Sequence, residues 1–159
     1  MENVNRMKQI LLVCTGNTCR SSMAEYLLRD ILDRAGLGNR YSVISAGTSV
    51  FMSQPASSNA LAALKEIGIN LSPHQSQQVT EQMVKNADIV LAMTASHRNY
   101  LLKLMPEAAG KTFTLKEYCC GVYSDVSDPF GRDLEEYRRC RDEIRECLIK
   151  FVEKLKGKE

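Results

Sequence analysis

No stretch of this 159-residue chain stays apolar for the roughly 20 residues that a bilayer-crossing helix requires. The opening Met1-Glu-Asn-Val-Asn-Arg-Met-Lys8 lacks the charged-then-apolar order and cleavage site of a secretion signal. Net charge is also small: 21 Lys and Arg against 19 Asp and Glu leave +2, which predicts affinity neither for nucleic acid nor for membrane. Histidine is scarce, with only His74 and His97. The six cysteines, Cys14, Cys19, Cys119, Cys120, Cys140 and Cys147, match neither a zinc spacing nor a secreted disulfide framework. These absences predict a cytoplasmic protein with reduced thiols. Repeats, low-complexity tracts and linkers are missing too. At 44% apolar and 25% charged residues, the expectation is a single domain over residues 1–159, with 1–8 a short lead-in.

What the chain does contain is Cys14-Thr-Gly-Asn-Thr-Cys-Arg20, between the apolar run Gln9-Ile-Leu-Leu-Val13 and Ser21-Ser-Met-Ala-Glu25. That order predicts strand, tight loop, helix. Such a loop turns successive N–H groups inward at the positive end of a helix, where a tetrahedral dianion can be held. Thr15, Gly16, Asn17, Thr18, Cys19 and Ser21 form the cradle in this reading, with Gly16 allowing close backbone approach. Cys14 is placed to attack phosphorus as a thiolate, a form that a helix N-terminus and an arginine both favour. Arg20 can clamp two phosphoryl oxygens in a planar fork and meet the charge of the transition state. Ser21 can donate its hydroxyl to the thiolate and can also cap the helix. These residue types in one loop point to phosphatase chemistry.

Such chemistry needs an acid, and Asp128-Pro-Phe130 offers one. Asp128 would protonate the leaving group and then deprotonate the attacking water, with Pro129 restricting its backbone. An Asp-Pro pair is also an ordinary turn, and Asp125 is a rival acid. Cys19 either traps oxidised Cys14 as a disulfide or fills space beneath the loop. The two histidines read as structural. Phe51, Tyr123 and Phe130 lie in loops where they could wall a substrate pocket, Phe130 standing beside the acid.

The remaining pattern alternates strands and helices. Strands are expected at Gln9–Val13, Tyr41–Ser45, Asp88–Met93 and Lys111–Leu115. Helices are expected from the loop to Gly36, over Ser57–Ile67, briefly from Thr80, over Ser96–Met105 and from about Asp133. In the last helix Tyr137, Cys140, Ile144, Cys147, Phe151 and Leu155 step by three and four and define one buried face. Cys119-Cys120 reads as local packing. The fold class is α/β: a central four-stranded parallel sheet with helices on both faces and the phosphate-binding loop after the first strand. Ligands of such sheets lie beyond the carboxyl ends of the strands, where this loop falls.

From Gln9 onward the chain resembles the low-molecular-weight protein tyrosine phosphatase family. Val13-Cys-Thr-Gly-Asn-Thr-Cys-Arg-Ser21 is similar to its active-site loop, Ser45-Ala-Gly47 to its second-strand end and Asp128-Pro-Phe130 to its acid loop. The resemblance implies a two-step mechanism through phosphocysteine, with no metal and no cofactor, on phosphorylated proteins, releasing inorganic phosphate. It also implies that Asn17, Ser45 and His74 form a hydrogen-bonded network shaping the loop. Ser22 departs from the family's usual proline, a change that leaves the chemistry intact. Thr18 stands where tyrosine-directed members carry isoleucine or leucine. In this, and in Leu91-Ala-Met-Thr94, Phe113-Thr-Leu-Lys-Glu-Tyr118 and Asp128-Pro-Phe-Gly131, the chain resembles the bacterial protein-arginine phosphatase branch. Phosphoarginine is the favoured substrate and phosphotyrosine the alternative, with Thr18, Phe51 and Phe130 as pocket residues. Arsenate reductases share the loop but relay oxidation through a further cysteine pair, and residues 75–110 contain no cysteine. A non-catalytic phosphoprotein-binding module would need neither the nucleophile nor the acid.

Overall fold

A computed structural model describes residues 7–158; residues 1–6 of the expected lead-in lie outside the described residues. Four strands, β1 (Lys8–Cys14), β2 (Tyr41–Gly47), β3 (Ile89–Ala92) and β4 (Thr112–Thr114), pair in parallel in the order β2-β1-β3-β4. The helices are α1 (Arg20–Arg34), α2 (Ser58–Lys65), α3 (Glu81–Asn86), α4 (Ala95–Leu104), α5 (Leu115–Cys120) and α6 (Leu134–Gly157), with a 3-10 turn at Pro106–Gly110.

The central strand shows why this sequence makes this sheet. Side chains alternate across a strand, so an unbroken apolar run fills both faces. Ile10, Leu12 and Cys14 enter one core with Met23, Leu27 and Leu28 of α1 and Ile144, Leu148 and Phe151 of α6. Leu11 and Val13 enter the other, with Val84 of α3 and Leu101 of α4. From β1 the chain crosses outward to β2 and then returns to the other side of β1 for β3. The crevice between the carboxyl ends of β1 and β3 is therefore a topological switch point, and the loop 14–20 opens there.

Expected and observed elements agree closely except at α5. The run read as a strand through Leu115 ends at Thr114, whose hydroxyl accepts from Glu117 N at 3.2 Å and caps a helix instead. Thr114-x-x-Glu117 is a helix-start signature, and a three-residue strand is too short for its alternation to outweigh it. Cys119 and Cys120 consequently lie on this helix, where the Cys120 thiol donates to Cys147 Sγ of α6 at 3.0 Å. The face read on α6 is buried, with Leu155 partly so. Arg138 and Arg141 of α6 both grip the Glu66 carboxylate at the end of α2, at 2.6 and 2.9 Å, fixing the two helices against each other.

Candidate active site

The loop between β1 and α1 is held from outside by its carbonyls. Cys14 O accepts from Thr48 N at 2.9 Å, Thr15 O from Ser49 N at 3.0 Å and Thr18 O from Ser57 N at 3.0 Å. Cys19 O accepts from Met23 N and from the Ser22 hydroxyl, and Asn17 O from His74 Nε2 at 2.6 Å. In a trans peptide the N–H points opposite to the C=O. Pinning these carbonyls to the surrounding frame turns the N–H groups of Thr15, Gly16, Thr18, Cys19 and Arg20 toward the other side. Thus the tertiary frame builds the anion cradle, and the helix N-terminus at Arg20 adds its partial positive charge.

The left-handed residue of the loop is Asn17 (φ 58°), a conformation asparagine tolerates. Two details differ from the sequence reading. The tight approach falls on Gly47 at the end of β2. A Cβ there would lie 2.3 Å from Thr15 O, whereas one on Gly16 would meet only Thr18 Oγ1 at 3.7 Å. Nor is Ser21 the helix cap, since Cys19 holds that position without a side-chain bond.

Ser21 instead belongs to a directed hydrogen-bond chain. Asn17 Oδ1 accepts from Gln77 N at 3.1 Å, which fixes which end of the amide is Nδ2. Nδ2 then donates to Ser21 Oγ at 2.8 Å and to Ser45 Oγ at 2.9 Å. Each serine, having accepted, has its own proton to give: Ser45 to Glu25 Oε1 at 2.5 Å, Ser21 to Cys14 Sγ at 2.9 Å. Asn17 N adds a second donor to the same sulfur at 3.3 Å. Glu25 is anchored by Arg29, and His74 Nδ1 lies 3.8 Å from its carboxylate. Asn17, Ser45 and His74 are therefore brought together, and Glu25 and Arg29 complete the group. Sequence reasoning missed both, although Glu25 and Arg29 stand at the helical i, i+4 spacing.

Arg20 is buried, donating from one terminal nitrogen to Val126 O at 3.0 Å, with the other 3.5 Å from Asp128 Oδ2. The two candidate acids now separate. Asp125 Oδ1 accepts from Ala95 N at 2.9 Å, at the start of α4. Asp128 is half exposed, tied back to Phe130 N at 3.0 Å, and faces the cradle beside Arg20. Loop residues 14–20, Asp128 and Phe130 together line a cavity of about 210 Å³. Phe51 stands fully exposed outside that lining, and Tyr123 is likewise exposed. A larger hollow of about 860 Å³ opens at the opposite ends of the strands, around Lys8, Gln9 and Lys111, but no nucleophile with an arginine fork lies there. Among the described residues no cluster of His, Cys, Asp or Glu is arranged to hold a metal ion, and no helix is long and apolar enough to cross a membrane.

Cys19 Sγ is tied to Ser57 Oγ at 3.5 Å and to the Tyr137 hydroxyl at 3.2 Å, so Tyr137 of α6 braces the loop from below. Burial, and then Cys19 itself, push the Tyr137 hydroxyl up to about 12. His97, read as merely structural, makes its own contact with the loop. Nε2 lies 2.7 Å from Thr15 Oγ1 and Nδ1 2.9 Å from Thr94 Oγ1. Burial, and next the Arg20 charge, hold its pKa down from 6.5 to about 4, against the opposing pull of Asp125 and Asp128. The unfolded chain therefore binds the extra proton first. The contribution of His97 to stability will be full above about pH 6.5 and will be lost as pH falls from there to about 4. Melting temperature against pH checks this, and His97→Gln should flatten that part of the curve.

Residues 9–159 match the family described as low molecular weight phosphotyrosine protein phosphatase. The chain belongs to that family. It is 43% identical over 147 residues to the protein-arginine-phosphatase of Bacillus subtilis, covering 92% of this chain and 96% of that one. A solved cysteine-to-serine mutant of the YwlE arginine phosphatase, with its active-site serine phosphorylated, superposes with a TM-score of 0.88 at 42% identity, covering 93% of this chain and 95% of that one. The low molecular weight protein tyrosine phosphatase of T. tengcongensis superposes with a TM-score of 0.88 at 41% identity, covering 92% and 99%. The family and these relatives make the chain a phosphoprotein phosphatase, a cysteine-based hydrolase.

Proposed function

We propose that this enzyme hydrolyses phosphoarginine in proteins, with Cys14, Arg20 and Asp128 as its catalytic residues. Cys14 sulfur attacks phosphorus as the P–N bond breaks, and the Asp128 carboxylic acid gives its proton to the departing guanidine nitrogen. Water then attacks the phosphocysteine while the Asp128 carboxylate takes its proton. Phosphate leaves and the thiolate is restored, with Ser21 and Asn17 N donating to it. Arg20 and the inward N–H groups hold the phosphoryl oxygens through both steps.

The observation that carries the substrate choice is Thr18 on the wall of the cavity that Asp128 also lines. A phosphoguanidinium carries N–H donors that the Thr18 hydroxyl can accept, whereas a phenol ring gains most from an apolar wall. A site offering hydrogen bonds to its substrate discriminates against one that cannot use them. The similarity to the Bacillus subtilis protein-arginine-phosphatase supports the same reading. Phosphotyrosine is the second reading, favoured by the exposed Phe130 ring at the cavity edge. The proposed setting is the cytoplasm, with phosphorylated proteins as substrates.

The test is kcat/KM for matched phosphoarginine and phosphotyrosine peptides, with Cys14→Ser as blank. Phosphoarginine should be preferred, and Thr18→Ile should move the ratio toward phosphotyrosine by about tenfold or more. A wild-type preference for phosphotyrosine would overturn the substrate assignment. A ratio that Thr18→Ile leaves fixed would remove Thr18 as the selector.

A further inference from the structure

The corner between β3 and α4 touches both halves of the proposed machinery. Met93 N donates to Val13 O and Met93 O accepts from Val126 N, each at 2.9 Å, so this corner lies between the nucleophile's strand and the acid loop. Asp125 on Ala95 N is a further tie to the acid loop. From the same corner His97, only 6% exposed, reaches Thr15 in the cradle. Thr94 accepts from His97 N at 3.1 Å as the cap of α4 and meets Nδ1 of the ring as well, so the ring's direction is set before it contacts the loop.

Thr15 is the residue directly after the nucleophile, and its side chain is exposed on the loop. Its carbonyl is held by Ser49 and its hydroxyl by His97. Ser49 holds the Thr15–Gly16 peptide plane and Thr48, on Cys14 O, the plane before it; His97 adds the tie on the Thr15 side chain, at the Cα that the two planes share. We infer that His97 is a positioning residue for the phosphate site: through Thr15 it aims the first two N–H groups of the loop at the phosphoryl oxygens. It touches no reacting atom. This inference rests on the proposed phosphatase function and concerns the same site.

Two conservative variants divide the contacts of His97. The amide nitrogen of glutamine reaches the place of Nε2, whereas asparagine can replace only Nδ1. The variants His97→Gln, His97→Asn and Thr15→Val, and the double variant His97→Asn with Thr15→Val, are compared by calorimetric affinity for inorganic phosphate. Their kcat and KM on para-nitrophenyl phosphate and their melting temperatures are measured alongside. His97→Asn and Thr15→Val should each weaken phosphate binding and raise KM by about tenfold, while His97→Gln stays within about threefold of wild type. The double variant should be no worse than either single one, because both remove the same contact. Equal losses in the glutamine and asparagine variants that track melting temperature, or a double loss equal to the product of the singles, would overturn the inference. If the His97 variants fail to fold, Thr15→Val decides: unchanged phosphate affinity overturns the inference, and about tenfold weakening sustains it. Wild-type turnover no greater than the Cys14→Ser blank would sink the phosphatase reading instead, while phosphate affinity would still report on His97.

Discussion

Replacing Cys14 with serine will lower phosphopeptide turnover by about 10⁴-fold or more and leave phosphate affinity within about threefold. The two effects separate because different parts of the loop produce them. The carbonyls of Cys14, Thr15, Asn17, Thr18 and Cys19 are pinned by Thr48, Ser49, His74, Ser57 and Met23, whereas the Cys14 sulfur is hydrogen-bonded by Ser21 and Asn17 N. The cradle and the Arg20 fork therefore survive the substitution. What disappears is the sulfur nucleophile itself, intrinsically a far better attacker than a hydroxyl. An oxygen nucleophile there is a poor attacker and, once phosphorylated, a poor leaving group for the second step. Steady-state assays with calorimetric phosphate binding check both halves. Normal turnover in the serine variant would end the proposed mechanism.

Replacing Asp128 with alanine will lower kcat by about 10²–10³-fold on a phosphoarginine or alkyl phosphate, and far less on a para-nitrophenyl leaving group. A leaving nitrogen or alkoxide needs a proton as its bond to phosphorus breaks; a nitrophenolate does not. The geometry separates Asp128 from its neighbour: it stands beside Arg20 on the cavity lining, while Asp125 is bound to Ala95 N. Asp125→Ala should accordingly lower stability by about 1 kcal/mol, through loss of a donor's partner at the start of α4, with the leaving-group dependence unchanged. Leaving-group series for both variants, with their melting curves, read out the difference. The reverse pattern would make Asp125 the acid.

Much of this protein could be read from local pattern. Strand β1 shows it best: its short unbroken apolar run, closed by the loop motif, reads as a strand buried on both faces, and the loop follows it in seven consecutive positions. The helix α6 was equally plain, because its apolar steps of three and four admit one buried face. Where two local signals competed, as at Thr114, the run of strand-forming residues masked the cap that ends it.

The sequence by itself thus determined the α/β class and the strand–loop–helix unit that carries Cys14 and Arg20, the residues proposed as nucleophile and phosphate clamp, since these are written in neighbouring residues. Only the tertiary structure decided which aspartate faces Arg20, that Phe130 rather than Phe51 lines the cavity, and that His97 reaches Thr15 across 82 positions of chain. It also decided that Gly47, not Gly16, is the residue with no room for a side chain. The reason is physical. Periodicity and turn chemistry encode what each segment becomes, but contacts between distant segments depend on strand order. Here the return of the chain from β2 to the far side of β1 brings α4 and the loop of Asp128 to Cys14.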